Sequence, residues 1–205
     1  HGADIVVNSS SKYINGSSNS ISGILTDSGH FKWDKDKYSI LGEYLKFGPM
    51  AYIAKMRSGL YRNIGTCLSP FNAYLNLLGL ETLGLRMDKQ CDNAYKLAKW
   101  LEENNADVIV NYPGLKTSKW NNIANTILEQ GYGAILTIRV GTKERAFDLM
   151  NKLTIPYILS NIGDTKTLVV HPASTISLHS SKKELEDAGV YDDLIRISVG
   201  IEDVE

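Results

Sequence analysis

Cysteine is scarce in this sequence. Cys67 and Cys91 are the only two, too few for a disulfide framework, and neither sits in a metal-ligand spacing. That predicts a reducing compartment, the cytoplasm, and no metal centre. Histidine is sparse too, with four residues, and His30 has no partner histidine near it in sequence to share an ion. Charge of one sign is also missing. Twenty-two basic residues against 23 acidic ones leave a net charge of −1. No general nucleic-acid or anionic-membrane surface is indicated. No apolar run approaches membrane-spanning length, no signal-peptide pattern opens the chain, and no internal repeat or low-complexity tract appears. What is present is a 43% apolar composition over 205 residues. That is enough for a sizeable core in one large domain or two small ones.

The first motif is Gly2-Ala3-Asp4-Ile5-Val6-Val7-Asn8-Ser9-Ser10-Ser11-Lys12-Tyr13. The β-branched run Ile5-Val6-Val7 suits a strand buried on both faces of a parallel sheet. Small hydroxyl residues follow, then Lys12, then a loop of Gly and Ser with almost no bulk. A lysine at the mouth of an apolar strand loses hydration, its amine pKa falls, and it becomes able to form a Schiff base. Ser9 and Ser11 beside it suit an anion such as a phosphate. The residues alone leave open a plain surface lysine in a polar loop.

Residues 21–25 read as a second strand and 30–44 as an exposed aromatic loop with room for a short helix. Pro49 is expected to open a helix reaching Arg62. Ser69-Pro70 is a clear start signal, Ser as N-cap and Pro as first helical residue. Met87, Cys91, Ala94, Ala98 and Leu101 then repeat at helical steps, so one helical run is expected from 70 to 103, bent near Gly79 or Gly84. Arg86 on it reads as a solvated or interface arginine. Later segments alternate between strand and helix. Strands are expected at 108–110, 134–140, 157–159, 168–170 and 194–199, with helices at 120–130, 144–153 and 182–188. That indicates a small α/β or α+β layer domain.

Arg196 lies among Ile195, Ile197 and Val199, and strand alternation puts it on their opposite face. Its planar fork suits a carboxylate. The residues leave open an exposed arginine paired with Glu202 or Asp203. His171-Pro172 looks at first sight like a catalytic histidine.

Several motifs together resemble the Cys/Met-metabolism enzymes that use pyridoxal phosphate (PLP), and within them the O-acetylhomoserine sulfhydrylases. They are the lysine stretch, Leu68-Ser69-Pro70-Phe71-Asn72-Ala73, Gly79-Leu80-Glu81-Thr82-Leu83, Leu85-Arg86-Met87, Asn161-Ile162-Gly163-Asp164, His171-Pro172-Ala173-Ser174-Thr175, and Leu194-Ile195-Arg196-Ile197-Ser198-Val199-Gly200-Ile201-Glu202-Asp203. The resemblance implies an α/β fold: the end of the large domain of a fold-type I PLP-dependent transferase (1–75), then a linking long helix and a small C-terminal domain (76–205). It implies that Lys12 is the Schiff-base lysine and that Ser9 and Ser11 bond the cofactor phosphate. It makes Arg196 the clamp for the amino acid's α-carboxylate, with Asn161 touching the same group, and it makes His171-Pro172 structural. The implied reaction is γ-replacement on O-acetylhomoserine by sulfide or a thiol. A γ-lyase and an inactive oligomerisation relic are the alternatives.

Residue 1 falls near the middle of the family's polypeptide, which predicts a C-terminal half. The resemblance places the pyridine-ring aspartate, the stacking aromatic and a Tyr/Arg pair for a neighbour's phosphate upstream of the lysine strand. These residues taken alone are then expected to bind PLP poorly. A homotetramer, a dimer of dimers sharing active sites, is also implied. Four positions depart from the family pattern: Asn8 and Ser17 where His is usual, Ser177 where His is common, and Ile176 where a Thr would orient the clamp arginine.

Overall fold

The computed structural model describes residues 2–204. Strand β1 (Ile5–Asn8) pairs antiparallel with β2 (Ile24–Asp27), Ile5 opposite Asp27 and Asn8 opposite Ile24. The expected buried parallel strand is therefore not seen. The two strands form a ribbon on which Val6 is 42% and Val7 74% exposed, because nothing among the described residues covers them.

The stretch expected as an exposed loop is partly packed. Trp33 stacks on Tyr52 with ring centroids 5.6 Å apart, and Phe31 and Tyr38 close around it. A 3₁₀ stretch, Ser39–Met50, follows, broken by left-handed Gly42 and Gly48. The α-helical turns begin two residues after Pro49, as α1 (Ala51–Met56), a π-helical turn (Arg57–Tyr61) and α2 (Arg62–Ile64).

Helix α3 (Pro70–Glu81) starts as its sequence dictates. The Ser69 hydroxyl accepts from Asn72 N at 3.2 Å, and Pro70 takes the first turn, where its missing N–H leaves no bond unmade. Helix α4 (Leu83–Asn104) follows after a break at Thr82. The break falls between Gly79 and Gly84, where the bend was expected. Gly79 has a packing reason: a Cβ there would lie 2.3 Å from Asn15 O, so only glycine lets α3 touch the loop after Lys12.

The remaining elements are β3 (Ile109–Asn111), α5 (Asn121–Ile127), β4 (Ile135–Arg139), α6 (Lys143–Lys152), β5 (Tyr157–Ile158), β6 (Leu168–Val170), α7 (Lys182–Asp187) and β7 (Leu194–Ser198). The strands form one sheet in the order β3-β4-β7-β6-β5, antiparallel except for β5–β6. Leu136, Ile138, Val169, Ile195 and Ile197 bury one sheet face against Ala94 and Ala98 of α4 and Ala146 and Met150 of α6. Each large apolar side chain buried here is worth about 1.5–3 kcal/mol. The alternate positions point the other way. Thr137 and Val170 flank Arg196 in register, and Ile135 and Leu168 flank Ser198. That second face carries the site.

Candidate active site

Lys12 sits in a tight turn just past β1. Its carbonyl accepts from Gly16 N at 2.8 Å, and Gly16 closes the turn in the left-handed region at φ +73°. Asn15, buried, holds the following loop. Its side-chain oxygen accepts from the N–H groups of Ser17 and Asn19 at 3.2 Å each, and its amide donates to Asn19 Oδ1 at 2.9 Å.

Arg86 fastens this turn to the helix break. Its guanidinium donates to Tyr13 O (2.8 Å), Ile14 O (3.3 Å), Gly79 O (2.6 Å) and, through Nε, to the Thr82 hydroxyl (3.1 Å). It is buried, not solvated as its place on a helix suggested. A Cβ on Gly16 would lie 2.3 Å from Arg86 Nη1, so the glycine opens the space the fork occupies.

The loop before β6 approaches the same turn from the other side. A Cβ on Gly163 would lie 2.6 Å from Tyr13 N, and Gly163 is itself left-handed at φ +77°. Its N–H donates to the Ser198 hydroxyl at 3.0 Å. Burial raises the pKa of the Tyr13 hydroxyl, opposed by its hydrogen bond with Ser198 and the nearby charge of Arg196.

Asn161 joins the two expected functional cations. Its side-chain oxygen accepts from Lys12 Nζ, and its backbone oxygen accepts from Arg196 Nη2 at 3.2 Å. Its amide NH₂ donates to Ser18 Oγ at 2.7 Å. The amine and the guanidinium, 184 positions apart in sequence (196 − 12), thus share one residue. Arg196 is half-buried, and its Nε is buried with no partner among the described residues. Burial pulls its pKa down, and the Tyr13 hydroxyl acts in the opposite direction. It is not paired with Glu202, whose carboxylate instead accepts from the Thr167 N–H and hydroxyl. Ile176 offers no hydroxyl, and beside the guanidinium lies a hollow of about 300 Å³ lined by Arg196, Thr137, Asn111, Ile176 and Ser177.

The two serines stand differently. Ser9 is exposed on the lysine turn. The Ser11 hydroxyl is engaged with the backbone of Ser22, accepting from its N–H at 2.8 Å and donating to its carbonyl at 3.2 Å. His171 is 1% exposed, its ring nitrogens bonded to the Ser174 hydroxyl and Asp192 O, and serves the packing of the sheet end. Among the described residues no cluster of His, Cys, Asp or Glu could hold a metal, and no helix is long and apolar enough to cross a membrane. Sequence reasoning gave Ser18 and Asp164 no role and misplaced Arg86. A small polar residue in a loop and an Asp after a Gly carry no distinctive pattern.

A half-buried lysine on a turn beside an exposed serine, linked through Asn161 to an arginine whose buried Nε has no partner among the described residues, fits a phosphate-bearing aldehyde and an amino-acid carboxylate. Comparison with known proteins supplies the family. The family profile of the Cys/Met metabolism PLP-dependent enzymes matches residues 1–205. The chain belongs to that family. It is 38% identical over 218 residues to a homocysteine synthase from Schizosaccharomyces pombe, and 38% identical over 225 residues to an O-acetyl-L-homoserine sulfhydrylase from Leptospira meyeri. Each alignment takes in 100% of this chain and 51% of the relative, so the chain spans about half the length of the curated relatives it matches.

Among solved structures, one assigned as an O-acetylhomoserine (thiol)-lyase from Campylobacter jejuni superposes with a TM-score of 0.90 at 31% identity, over 100% of this chain and 52% of its own. That structure carries N′-pyridoxyl-lysine-5′-monophosphate. An O-acetylhomoserine sulfhydrylase from Wolinella succinogenes gives 0.81 at 38% identity, over 99% of this chain and 54% of its own. The fold is thus that of the PLP-dependent O-acetylhomoserine sulfhydrylases, and PLP is the family's cofactor.

Proposed function

We propose that this chain serves a PLP-dependent γ-replacement, O-acetylhomoserine plus sulfide or a thiol giving homocysteine plus acetate, in methionine and cysteine biosynthesis. The bound cofactor supplies an electron sink. Lys12 holds the cofactor aldehyde and, when free, takes and returns protons at the substrate's α and β carbons. Ser9 and Ser11 hold the cofactor phosphate, Ser11 by turning its donor from Ser22 O. Arg196 grips the α-carboxylate with its fork, its free Nε adding a second donor. Asn161 keeps that carboxylate beside the amine.

Residues 1–75 complete the cofactor-binding domain, and 76–205 form the linking helix and small domain. The setting is the cytoplasm, and the assembly is a dimer of dimers. The observation that supports this reading is the double engagement of Asn161 with Lys12 and Arg196.

The test is a visible spectrum of the protein in the longest form its gene encodes, followed by borohydride reduction and peptide mapping. A yellow band fixed onto Lys12, lost in Lys12→Ala, is the expected result. A colourless protein that stays colourless with added PLP overturns the reading. Ammonia and 2-oxobutanoate from methionine, with no sulfide-dependent synthesis, would replace it with a lyase.

A further inference from the structure

Ser18 holds the one positive φ outside glycine among the described residues, +55°. A side chain in that region is strained, and such strain persists where surrounding bonds hold it. The bonds here run in one direction. Asp164, 5% exposed, accepts from Ser18 Oγ at 2.6 Å through Oδ2. Its Oδ1 accepts from the Lys166 N–H at 3.0 Å, the Thr165 hydroxyl at 3.3 Å and Lys166 Nζ at 3.5 Å. Its backbone carbonyl accepts from Gln90 Nε2 at 2.6 Å, so the residue is fixed at both ends. Burial alone would raise the Asp164 pKa, but the bonds from Ser18 and Lys166 and the charge of Lys166 outweigh it and hold the carboxyl below its usual range.

An ionised carboxylate only accepts. Ser18 must therefore spend its single O–H on Asp164 and can offer Asn161 only a lone pair. Asn161 must then turn its NH₂ toward Ser18, as it does at 2.7 Å. Its carbonyl oxygen is left facing Lys12.

We propose that Ser18 and Asp164 are positioning residues that fix which end of the Asn161 side-chain amide faces the Lys12 amine. An amide oxygen there bonds the ammonium form of Lys12 in a charge-assisted hydrogen bond. An NH₂ in its place would repel it. The pair thus keeps the Lys12 amine engaged by Asn161, the residue whose backbone oxygen also holds Arg196, whenever the amine is not bonded to cofactor. The functional meaning of that state rests on the proposed role of Lys12. The hydrogen-bond direction does not.

The experiment is acetylation of Lys12 at one fixed pH in cofactor-free protein, using acetic anhydride and reading the labelled peptide by mass spectrometry. Ser18→Gly removes the hydroxyl and suits the left-handed backbone, so the fold is kept. Asp164→Asn abolishes the one-way polarity. Both variants are expected to acetylate Lys12 several-fold faster than the parent at the same pH, because the amine is no longer held by a fixed amide oxygen. Lys166→Gln loses the long 3.5 Å bond to Asp164 but keeps the run from Asp164 through Ser18 to Asn161, and is expected to label at the parent rate. The Asn161 side-chain NH₂ resonances should exchange slowly with water in the parent and quickly in Ser18→Gly.

Parent-like labelling in Ser18→Gly overturns the proposal whatever Asp164→Asn does. So does an equal acceleration in Lys166→Gln. Because no cofactor is needed, this result is independent of whether borohydride fixes a pyridoxyl group on Lys12, which judges the enzyme reading alone.

Discussion

Replacing Arg86 by methionine tests how the lysine turn is held. The guanidinium makes two short bonds, to Gly79 O at 2.6 Å and Tyr13 O at 2.8 Å, and two longer ones, to Thr82 Oγ1 at 3.1 Å and Ile14 O at 3.3 Å. A hydrogen bond involving a charged group contributes about 1.5–3 kcal/mol, so the two short bonds together contribute about 3–6 kcal/mol. The longer pair adds little, since strength falls as distance grows.

Against this stands the cost of burying the guanidinium, felt as a downward pull on its pKa. Methionine removes that cost along with the bonds, which places the net loss near the lower end, about 3 kcal/mol. Lysine keeps the charge but reaches one carbonyl at a time, so Arg86→Lys should lose about half as much. A 3 kcal/mol loss is a large part of the roughly 5–15 kcal/mol that holds a domain folded. The assay is urea unfolding by circular dichroism, with midpoints compared at equal slopes. A methionine variant within about 0.5 kcal/mol of its parent, the range of ordinary surface substitutions, would show that the fork does not fasten the turn.

Three further outcomes follow from the same geometry. Gly163→Ala places a Cβ 2.6 Å from Tyr13 N at φ +77°; strain plus overlap should cost about 2–4 kcal/mol, and an unchanged unfolding midpoint would refute the close approach. On the proposed reading of Arg196, Arg196→Lys should raise KM for the amino-acid substrate about tenfold or more while kcat moves less, as expected on losing a charged bond of about 1.5–3 kcal/mol; an unchanged KM removes it from carboxylate binding.

Acid should destabilise the fold through Asp164 and Asp193. Burial pushes both carboxyls up, but donors outweigh it: Ser18 and Lys166 for the first, Arg139 and the Gly141 N–H for the second, leaving both below the ordinary 3.8. A depressed folded pKa gives stability that is complete above the unfolded value and is lost as pH falls through the folded one. Melting temperature should be level from about pH 7 to 5 and drop below about pH 4, less steeply in Asp193→Asn. Equal slopes in the two proteins would contradict this.

Elements whose residues settle their own environment were legible. Leu168–Val170 is a strand where its β-branched run placed it, and Ser69-Pro70 starts α3 because cap and first-turn chemistry are local. The strand alternation around Arg196 correctly set it opposite Ile195 and Ile197. Elements that depend on distant chain were not legible. Arg86 is buried by a turn more than seventy residues earlier, and nothing on α4 announces that. The 3₁₀ stretch Ser39–Met50 turns on glycines at positive φ, which leave no apolar period to read. β1 has the composition of a covered strand, yet its cover is absent from the described residues. The lysine, the arginine and Asn161 were named from the family resemblance, while the bond that ties Asn161 to the lysine could be seen only in three dimensions.

The break at Thr82 carries one more implication. Because Arg86 grips Thr82, Gly79 and the lysine turn at once, what looks like a hinge between two helices is a weld. On the proposed reading, attempts to broaden the range of acceptable substrates should leave positions 79–86 untouched and draw their diversity from Thr137, Ile176 and Ser177, around the hollow next to Arg196.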